Sequence, residues 1–363
     1  MSQGVKKNIA SKVKTSNIIY PIIIGFGVIG YMVYAEFNPK AFSAIRFTTS
    51  TAFWLGVAVI LMAFRDIGYM IRIRLLADNH LTWKQAFRII MLWEFTSAIT
   101  PSAVGGTSVA ILFVHKEGLS IGKSSAIVMA TSFLDEIYFI VAVPVLYFIF
   151  GKSELFHIQG SASLTQGLFT IALVGYLLKF AYTIVLTYGL FYNPKGLKWL
   201  IVNIFSIRYL RKWRYSMTNI ASEIVMSSKN LRSRPASFWL KTFGATLISW
   251  TSRYLVVNAL LLAFFTMHDQ LLIFARQMIM WVMMLISPTP GGSGFAEYLF
   301  TVFLGDLIPV APDLQKGISI AFAFIWRLIS YYPYLIIGAL IVPRWIKHKF
   351  HFRKAPHHHV HHI

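Results

Sequence analysis

Long apolar stretches alternate with short basic stretches along almost the whole chain. About 20 apolar residues in a helix cross the hydrocarbon core of a bilayer. Six stretches are long enough to do so: 18–37, 48–66, 124–150, 164–192, 237–267 and 317–342. The pattern predicts an all-α integral membrane protein with about six transmembrane helices.

Two further apolar stretches, 84–114 and 270–304, are interrupted near their middles by proline and glycine. Each has, in order, an arginine, a tryptophan, a proline, a glycine pair and a hydroxyl residue. These are Arg88, Trp93, Pro101, Gly105, Gly106 and Thr107, and then Arg276, Trp281, Pro288, Gly291, Gly292 and Ser293. Paired interruptions of this kind point to the substrate site of a transporter built from internal repeats.

Basic residues indicate the orientation of the chain. Lysine and arginine concentrate in 1–16, 65–88, 193–235 and the tail 343–363. All four regions lie on the cytoplasmic side if the six spans cross and both interrupted stretches return to the side they entered. Both termini are then cytoplasmic, and each interrupted stretch is a re-entrant (broken) helical hairpin. A single tilted, kinked span is the alternative for each.

The same motif then occurs in two opposite orientations. This predicts an inverted-topology repeat, with residues 18–150 as its first half and residues 164–342 as its second half. The two hairpins enter the membrane from opposite sides.

Composition supports the membrane class and excludes several others. The 363 residues are 56% hydrophobic and only 13% charged, whereas a soluble domain is about one-quarter charged. The net charge of +21 lies between apolar spans, so it indicates topology rather than a nucleic-acid partner. The chain has no cysteine, which excludes disulfides and thiolate chemistry. No cleavage pattern follows 18–37, so no signal peptide is expected.

The basic segment 193–235 carries nine lysines and arginines against a single acid, Glu223. Its amphipathic start suggests a segment that lies on the membrane surface and is attracted to anionic lipid. A solvated loop that only sets the topology is the alternative. The histidine-rich end of 343–363 is interpreted as a tail without function.

Charged residues within apolar stretches are candidates for function, because each costs a few kcal/mol to insert. They either line a substrate path or form buried ion pairs that only set helix register. They are Glu94, Asp135, Glu136, Lys179, Arg253, Glu297 and Arg327.

The glycine pairs add a second candidate feature. A half-helix that starts after them presents backbone N–H groups and a positive dipole end to an anion, with Thr107 or Ser293 at its start. Arg253 and Arg327 would add donors suited to phosphate. Alternatively, the glycines only allow close helix packing. The carboxylates suit a cationic head group or proton coupling equally well.

No nucleotide motif, zinc spacing or nucleophile constellation is present, so no catalytic residue, metal or cofactor is predicted. The run from Thr100 to Gly106 followed by Glu117-Gly118, and the run from Ser287 to Gly294 with Glu297, resemble two motifs of the lysylphosphatidylglycerol synthase transmembrane family. The resemblance implies a polytopic inner-membrane protein that translocates or handles lipids, in some members an aminoacylated phosphatidylglycerol. No soluble aminoacyl-transfer domain is expected here, so synthase activity is not carried over.

The sequence therefore predicts a flippase for a polar-headed lipid, either an aminoacylated or other phospholipid or a polyprenyl-linked lipid. The alternative is an intramembrane lipid-modifying enzyme, or the membrane partner of a lipid or glycosyl transferase. Membrane lipids are the expected partners, with a homo-oligomer or a lipid synthase as further candidates. The predicted substrate-binding residues are Glu94, Pro101, Gly105, Gly106, Thr107, Asp135, Glu136, Arg253, Pro288, Gly291, Gly292, Ser293, Glu297 and Arg327.

Overall fold

A computed structural model describes residues 47–100, 103–157, 162–207, 211, 214–284, 287, 289 and 291–349. The predicted span 18–37, the histidine-rich end of the tail, Pro101 and Pro288 lie outside the described residues. The described part contains helices and no strand, which confirms the all-α class. The α-helices are α1 (Thr49–Leu76), α2 (Trp83–Ile99), α3 (Ala103–Lys116), α4 (Ile121–Leu155), α5 (Ala162–Thr187), α6 (Pro194–Ile204), α7 (Arg214–Arg232), α8 (Ala236–Leu262), α9 (Gln270–Met283), α10 (Phe295–Leu304), α11 (Pro312–Ser330) and α12 (Tyr332–Lys349).

Five segments of the described chain are long and apolar enough to cross a membrane. They are Thr49–Leu76, Ile121–Leu155, Ser163–Tyr192, Ala236–Leu262 and Pro312–Trp345. They correspond to the five predicted spans that fall in this part of the chain. The molecule is a multi-pass membrane protein.

The first described span is longer than its prediction, which ended at residue 66. Helix α1 continues to Leu76 and carries Arg65 and Arg72 into the protein interior, where they are 0% and 3% exposed. Treating Arg65 and Arg72 as charges that flank the span was therefore wrong, since both lie within α1. The reason is that Glu94 and Asp135 on neighbouring helices neutralise them, which a hydropathy pattern does not reveal.

The span predicted at 317–342 consists of two helices. Tyr331 has φ −129° and ψ −55°, outside helical geometry, and separates α11 from α12. The segment 193–235 is also not a plain loop. It contains α6 and α7, and α7 packs against α4.

Each interrupted stretch folds as a pair of antiparallel helices. In the first, α2 packs on α3, and Arg88 near the start of α2 forms a 3.1 Å ion pair with Glu117, just after α3. In the second, α9 packs on α10, and Arg276 in the middle of α9 forms a 2.7 Å ion pair with Asp306, just after α10. The two arginines that the sequence motif shares therefore close equivalent hairpins.

The helix contacts occur in matched pairs. Helices α1 and α8 pack most extensively on each other; Gly68 allows this approach, because a Cβ there would overlap Ser249. The correspondence pairs α1 with α8, the first hairpin with the second, and α4 with α11–α12. Other contacts in one half then have equivalents in the other half. Thus α1 packs on α4 as α8 packs on α11, and α4 packs on α9 as α12 packs on α2.

Candidate functional site

The centre of the molecule holds a group of charged side chains that we call the central charge cluster. It consists of Arg65, Asp66, Arg72, Glu94, Asp135 and Arg253. Residues three and four apart share a face of a helix, so Arg65, Tyr69 and Arg72 project from one face of α1. That face is directed at α2, α4, α8 and α12, which supply the partners described below.

Arg65 joins two carboxylates. Its Nη1 donates to Asp66 Oδ1 at 2.9 Å, and its Nη2 lies 2.6 Å from Glu94 Oε1 on α2. The guanidinium is also 4.9 Å from the ring centroids of both Tyr69 and Tyr334. The Tyr334 hydroxyl donates to both oxygens of Asp66, at 2.9 and 3.0 Å. Three elements therefore converge on this arginine.

Arg72, two turns further along α1, is held by Asp135 of α4. Its Nη1 donates to Asp135 Oδ1 at 2.5 Å and to Thr246 Oγ1 at 3.1 Å, while Nη2 donates to Asp135 Oδ2 at 3.3 Å. The indole of Trp250 on α8 donates to the same carboxylate at 2.6 Å. Hydrogen bonds to the Arg72–Asp135 pair therefore join α1, α4 and α8.

Arg253 differs from the other two arginines. It is half-buried on α8 and makes no hydrogen bond or ion pair to any residue that the structure describes. Its guanidinium lies instead 4.8 Å from the ring of Trp281 and 5.5 Å from the ring of Trp250. Trp281 is the tryptophan of the second motif, so this arginine borders the second hairpin. Among the described residues, none accepts a hydrogen bond from its N–H donors.

The members of the cluster differ in exposure. The side chains of Asp66, Glu94 and Asp135 are 19%, 22% and 21% exposed, whereas Arg65 and Arg72 are sealed. The partly exposed members of the cluster are therefore the three carboxylates and Arg253, which has no ion pair with a described residue; we call these four side chains the open side of the cluster. Such a surface can receive a head group that carries both phosphate and a positive group.

The charges of the second motif form a closed network away from the open carboxylates. Arg327 on α11 donates from Nε to Glu297 Oε1 at 2.8 Å and from Nη2 to the Gly291 carbonyl at 2.9 Å. The other Glu297 oxygen accepts from the Gly294 N–H at 2.7 Å and thereby caps α10. Both charged side chains are nearly sealed, so the pair stabilises the break in this structure.

The two interruptions touch each other. The Gly291 N–H points to the Thr100 carbonyl at 3.5 Å, and the Tyr331 hydroxyl donates to the Ala98 carbonyl at 3.0 Å. Ser293 is buried beside the same tyrosine. The tip of the first hairpin, the loop of the second and the break between α11 and α12 therefore meet at one point.

The glycine pairs have different roles in the two copies. In the first, α3 already begins at Ala103, so the expectation of a helix start after Gly105-Gly106 was wrong there. Gly106 lies inside the helix, where a Cβ would overlap Ser97 of α2, and Thr107 is half-buried beyond it. Close packing of α2 on α3 requires this glycine.

In the second copy the helix does start after the glycines, at Phe295. Gly291, Gly292 and Gly294 have φ of 58°, 69° and 83°. Their N–H groups point to Thr100, Thr289 and Glu297. In this conformation these donors are occupied by the protein itself.

Glu136 and Lys179 form a separate buried pair between α4 and α5. Lys179 Nζ donates to both carboxylate oxygens of Glu136, at 2.8 and 2.9 Å. The neighbouring Asp135 points to the central charge cluster. Consecutive residues lie about 100° apart on a helix, which explains why the two acids serve different neighbours.

Sequence reasoning found Glu94, Asp135 and Arg253 of the cluster but missed Arg65, Asp66 and Arg72. The available signal was the spacing of four and three residues from Arg65 to Tyr69 to Arg72, which places all three on one helix face. The basic density of 65–88 concealed it, because flanking basic residues are typical of cytoplasmic loops.

A profile described as the lysylphosphatidylglycerol synthase TM region matches residues 18–338, most of the chain. The chain belongs to this family. It is also 26% identical over 298 residues to a protein named UPF0104 membrane protein from Archaeoglobus fulgidus. That match covers 79% of this chain and 85% of the relative. No solved structure matches the chain.

The residues that match the lysylphosphatidylglycerol synthase TM region family extend from before α1 into α12. They include both hairpins and the whole central charge cluster. The cluster is therefore part of the region that defines the family match.

Proposed function

We propose that the protein is a flippase that moves a polar-headed phospholipid across the inner membrane, with both chain termini in the cytoplasm. The head group binds at the open side of the central charge cluster while the acyl chains stay in the bilayer. The single observation that carries this proposal is Arg253, a half-buried guanidinium without a protein hydrogen-bond acceptor among the described residues.

The energetics of Arg253 support a ligand there. An arginine inside the membrane costs about 2.5–3.5 kcal/mol on insertion scales, and its five N–H donors need acceptors. The two indole faces supply cation–π attraction of about 0.5–2 kcal/mol each but accept none of these in-plane donors. A phosphate head group supplies acceptors in the planar, two-pronged arrangement that a guanidinium prefers.

The carboxylates favour a head group that also carries a positive charge. Asp66 and Glu94 share Arg65 as their ion-pair partner, and neither forms an ion pair with another described cation. A group with phosphate near Arg253 and an ammonium near Glu94 would leave every charge compensated. An aminoacylated phosphatidylglycerol meets this description.

Two observations support an inverted-topology repeat with re-entrant hairpins. Helix contacts in the two halves occur in matched pairs, and an ion pair between an arginine and an acid closes each hairpin. In such a repeat, access alternates when one half moves against the other. The meeting point of Thr100, Gly291 and Tyr331 is the contact that such a movement would have to change. The sequence predicted Gly105, Gly106, Thr107, Gly292, Ser293, Glu297 and Arg327 as substrate-binding residues. In this proposal they shape and hold this contact instead, and Glu136 is paired beside the path.

Arg253→Gln is expected to abolish lipid movement in proteoliposomes without unfolding the protein, because Arg253 makes no hydrogen bond or ion pair with any described residue. Fluorescent phosphatidylglycerol, phosphatidylethanolamine and aminoacylated phosphatidylglycerol are followed by dithionite accessibility. The matched control is Arg344→Gln, which removes an exposed arginine of α12.

We expect the wild type and the Arg344→Gln protein to move one lipid class. A folded Arg253→Gln protein is expected not to move it. Equal rates with all three proteins would remove the cluster as the head-group site. No movement of any of the three lipids above empty liposomes would overturn the flippase proposal.

A further inference from the structure

We propose that α6 and its flanking residues form an arm that binds anionic phospholipid in the adjacent leaflet, and that α7 fastens this arm to the start of α4. We name the described residues of this segment, 193–207, 211 and 214–232, the basic arm. Binding of lipid by the basic arm is independent of the transport activity proposed above.

The basic arm starts directly at the end of a membrane span. A π-helical turn, Tyr188–Tyr192, ends α5, and its tyrosines at either end are 56% and 73% exposed. Exposed tyrosines at a span end are typical of the membrane–water interface. Asn193 then caps α6, its side-chain oxygen accepting from the Gly196 N–H at 2.8 Å. No flexible linker separates the two, so α6 is held at interfacial depth.

Helix α6 presents apolar and basic groups together. Trp199, Leu200 and Ile204 are 65%, 47% and 44% exposed. Lys195 and Lys198 make no hydrogen bond or ion pair with any residue in the described ranges. Exposed tryptophan and aliphatic groups beside lysines are the composition of helices that lie in the interface and attract anionic lipid.

The charge of the basic arm is not neutralised from within. Its one acid, Glu223, is used elsewhere, since its Oε2 accepts from the Gly122 N–H at 3.0 Å at the start of α4. A carboxylate at a helix N-terminus is stabilised by the helix dipole. The lysines and arginines therefore create a positive surface, and the complementary partner at this depth is anionic phospholipid.

The same contact seats α7 on α4. A Cβ on Gly122 would overlap the Glu223 side chain, so the two helices approach as closely as a glycine allows. Beside it, Asp78 forms ion pairs with Lys123 of α4 and with Arg234, just after α7. Helix α4 also carries Asp135, so the basic arm is fastened to a helix that supplies the central charge cluster.

The absence of cysteine makes a direct test possible, because Ile204→Cys creates a single labelling site. An environment-sensitive fluorophore at this position is measured in nanodiscs of pure phosphatidylcholine and of phosphatidylcholine with increasing phosphatidylglycerol. Brominated phosphatidylcholine serves as a quencher. We expect quenching to rise with the phosphatidylglycerol fraction and to fall again in high salt.

In the same background, Lys195→Gln/Lys198→Gln is expected to weaken binding to the anionic surface roughly 30-fold, since each basic residue near such a surface contributes roughly fivefold. The matched control, Lys84→Gln/Lys241→Gln, removes two exposed lysines outside the basic arm and is expected to leave quenching unchanged. Three results would overturn the proposal: quenching that does not change with the phosphatidylglycerol fraction, no quenching at any fraction, or quenching that the Lys195/Lys198 change leaves unaffected. Lipid movement is not part of the readout, so failure of the flippase proposal leaves this test intact.

Discussion

Glu297→Ala is expected to lower the free energy of unfolding by about 3–5 kcal/mol, because it leaves the buried guanidinium of Arg327 without its counter-charge. The same change removes the acceptor of the Gly294 N–H and with it the cap of α10. The measurement is equilibrium unfolding of the purified protein in mixed micelles. This is the largest single effect that we expect from a substitution in the second motif.

Two control variants separate charge from shape at this position. Glu297→Gln keeps an acceptor for the Gly294 N–H and is expected to be less destabilising than alanine. Glu297→Ala/Arg327→Leu removes both charges and is expected to recover much of the lost stability, since the cost lies in the unpaired charge. A single Glu297→Ala protein as stable as the wild type would show that the Arg327 pair does not hold the break.

Gly291→Ala is expected to destabilise the protein by about 2–5 kcal/mol, from a left-handed backbone and from overpacking. Gly291 has φ 58°, and a Cβ there would lie 2.6 Å from the Ala98 carbonyl oxygen and overlap Tyr331. The change therefore pushes apart the two hairpin tips. Thermal unfolding and crosslinking between the tips, through cysteines introduced at Ser97 and Thr289, measure the result.

The matched control is Gly244→Ala. Gly244 lies within α8, and a Cβ there would meet nothing within 4 Å. Alanine is favoured over glycine in helices by about 1 kcal/mol, so this variant is expected to be as stable as the wild type or more so. If Gly291→Ala behaved like Gly244→Ala, the contact between the tips would not contribute to stability.

The repeated sequence motif predicted more of the fold than the span positions did. Arg88 and Arg276 stand at equivalent places in the two motifs, and each closes its own hairpin. The glycine pairs are alike in sequence but not in structure, since Gly106 lies inside α3 and Gly291 lies in a loop. The sequence spacing could not reveal this difference, because the start of each helix depends on what its first turn packs against.

The candidate site was predicted in part. Arg253 and Glu94 were found because a charge in an apolar stretch is conspicuous. Arg65 and Arg72 were missed because the apolar pattern of α1 weakens towards Leu76 while the helix itself continues. Arg65 and Arg72 can be buried because they pair with Glu94 and Asp135, which lie far from them in the sequence.

By itself, the sequence determined the all-α membrane class, the positions of five spans in the described part and the existence of two broken helical stretches. These follow from local properties, namely apolar length and residues that interrupt helices. Only the tertiary structure decided which charges pair, where α1 ends, and that, among the described residues, Arg327 is paired with Glu297 while Arg253 has no ion pair. Pairing depends on distances between helices far apart in the chain, and hydropathy along the chain carries no information about those distances.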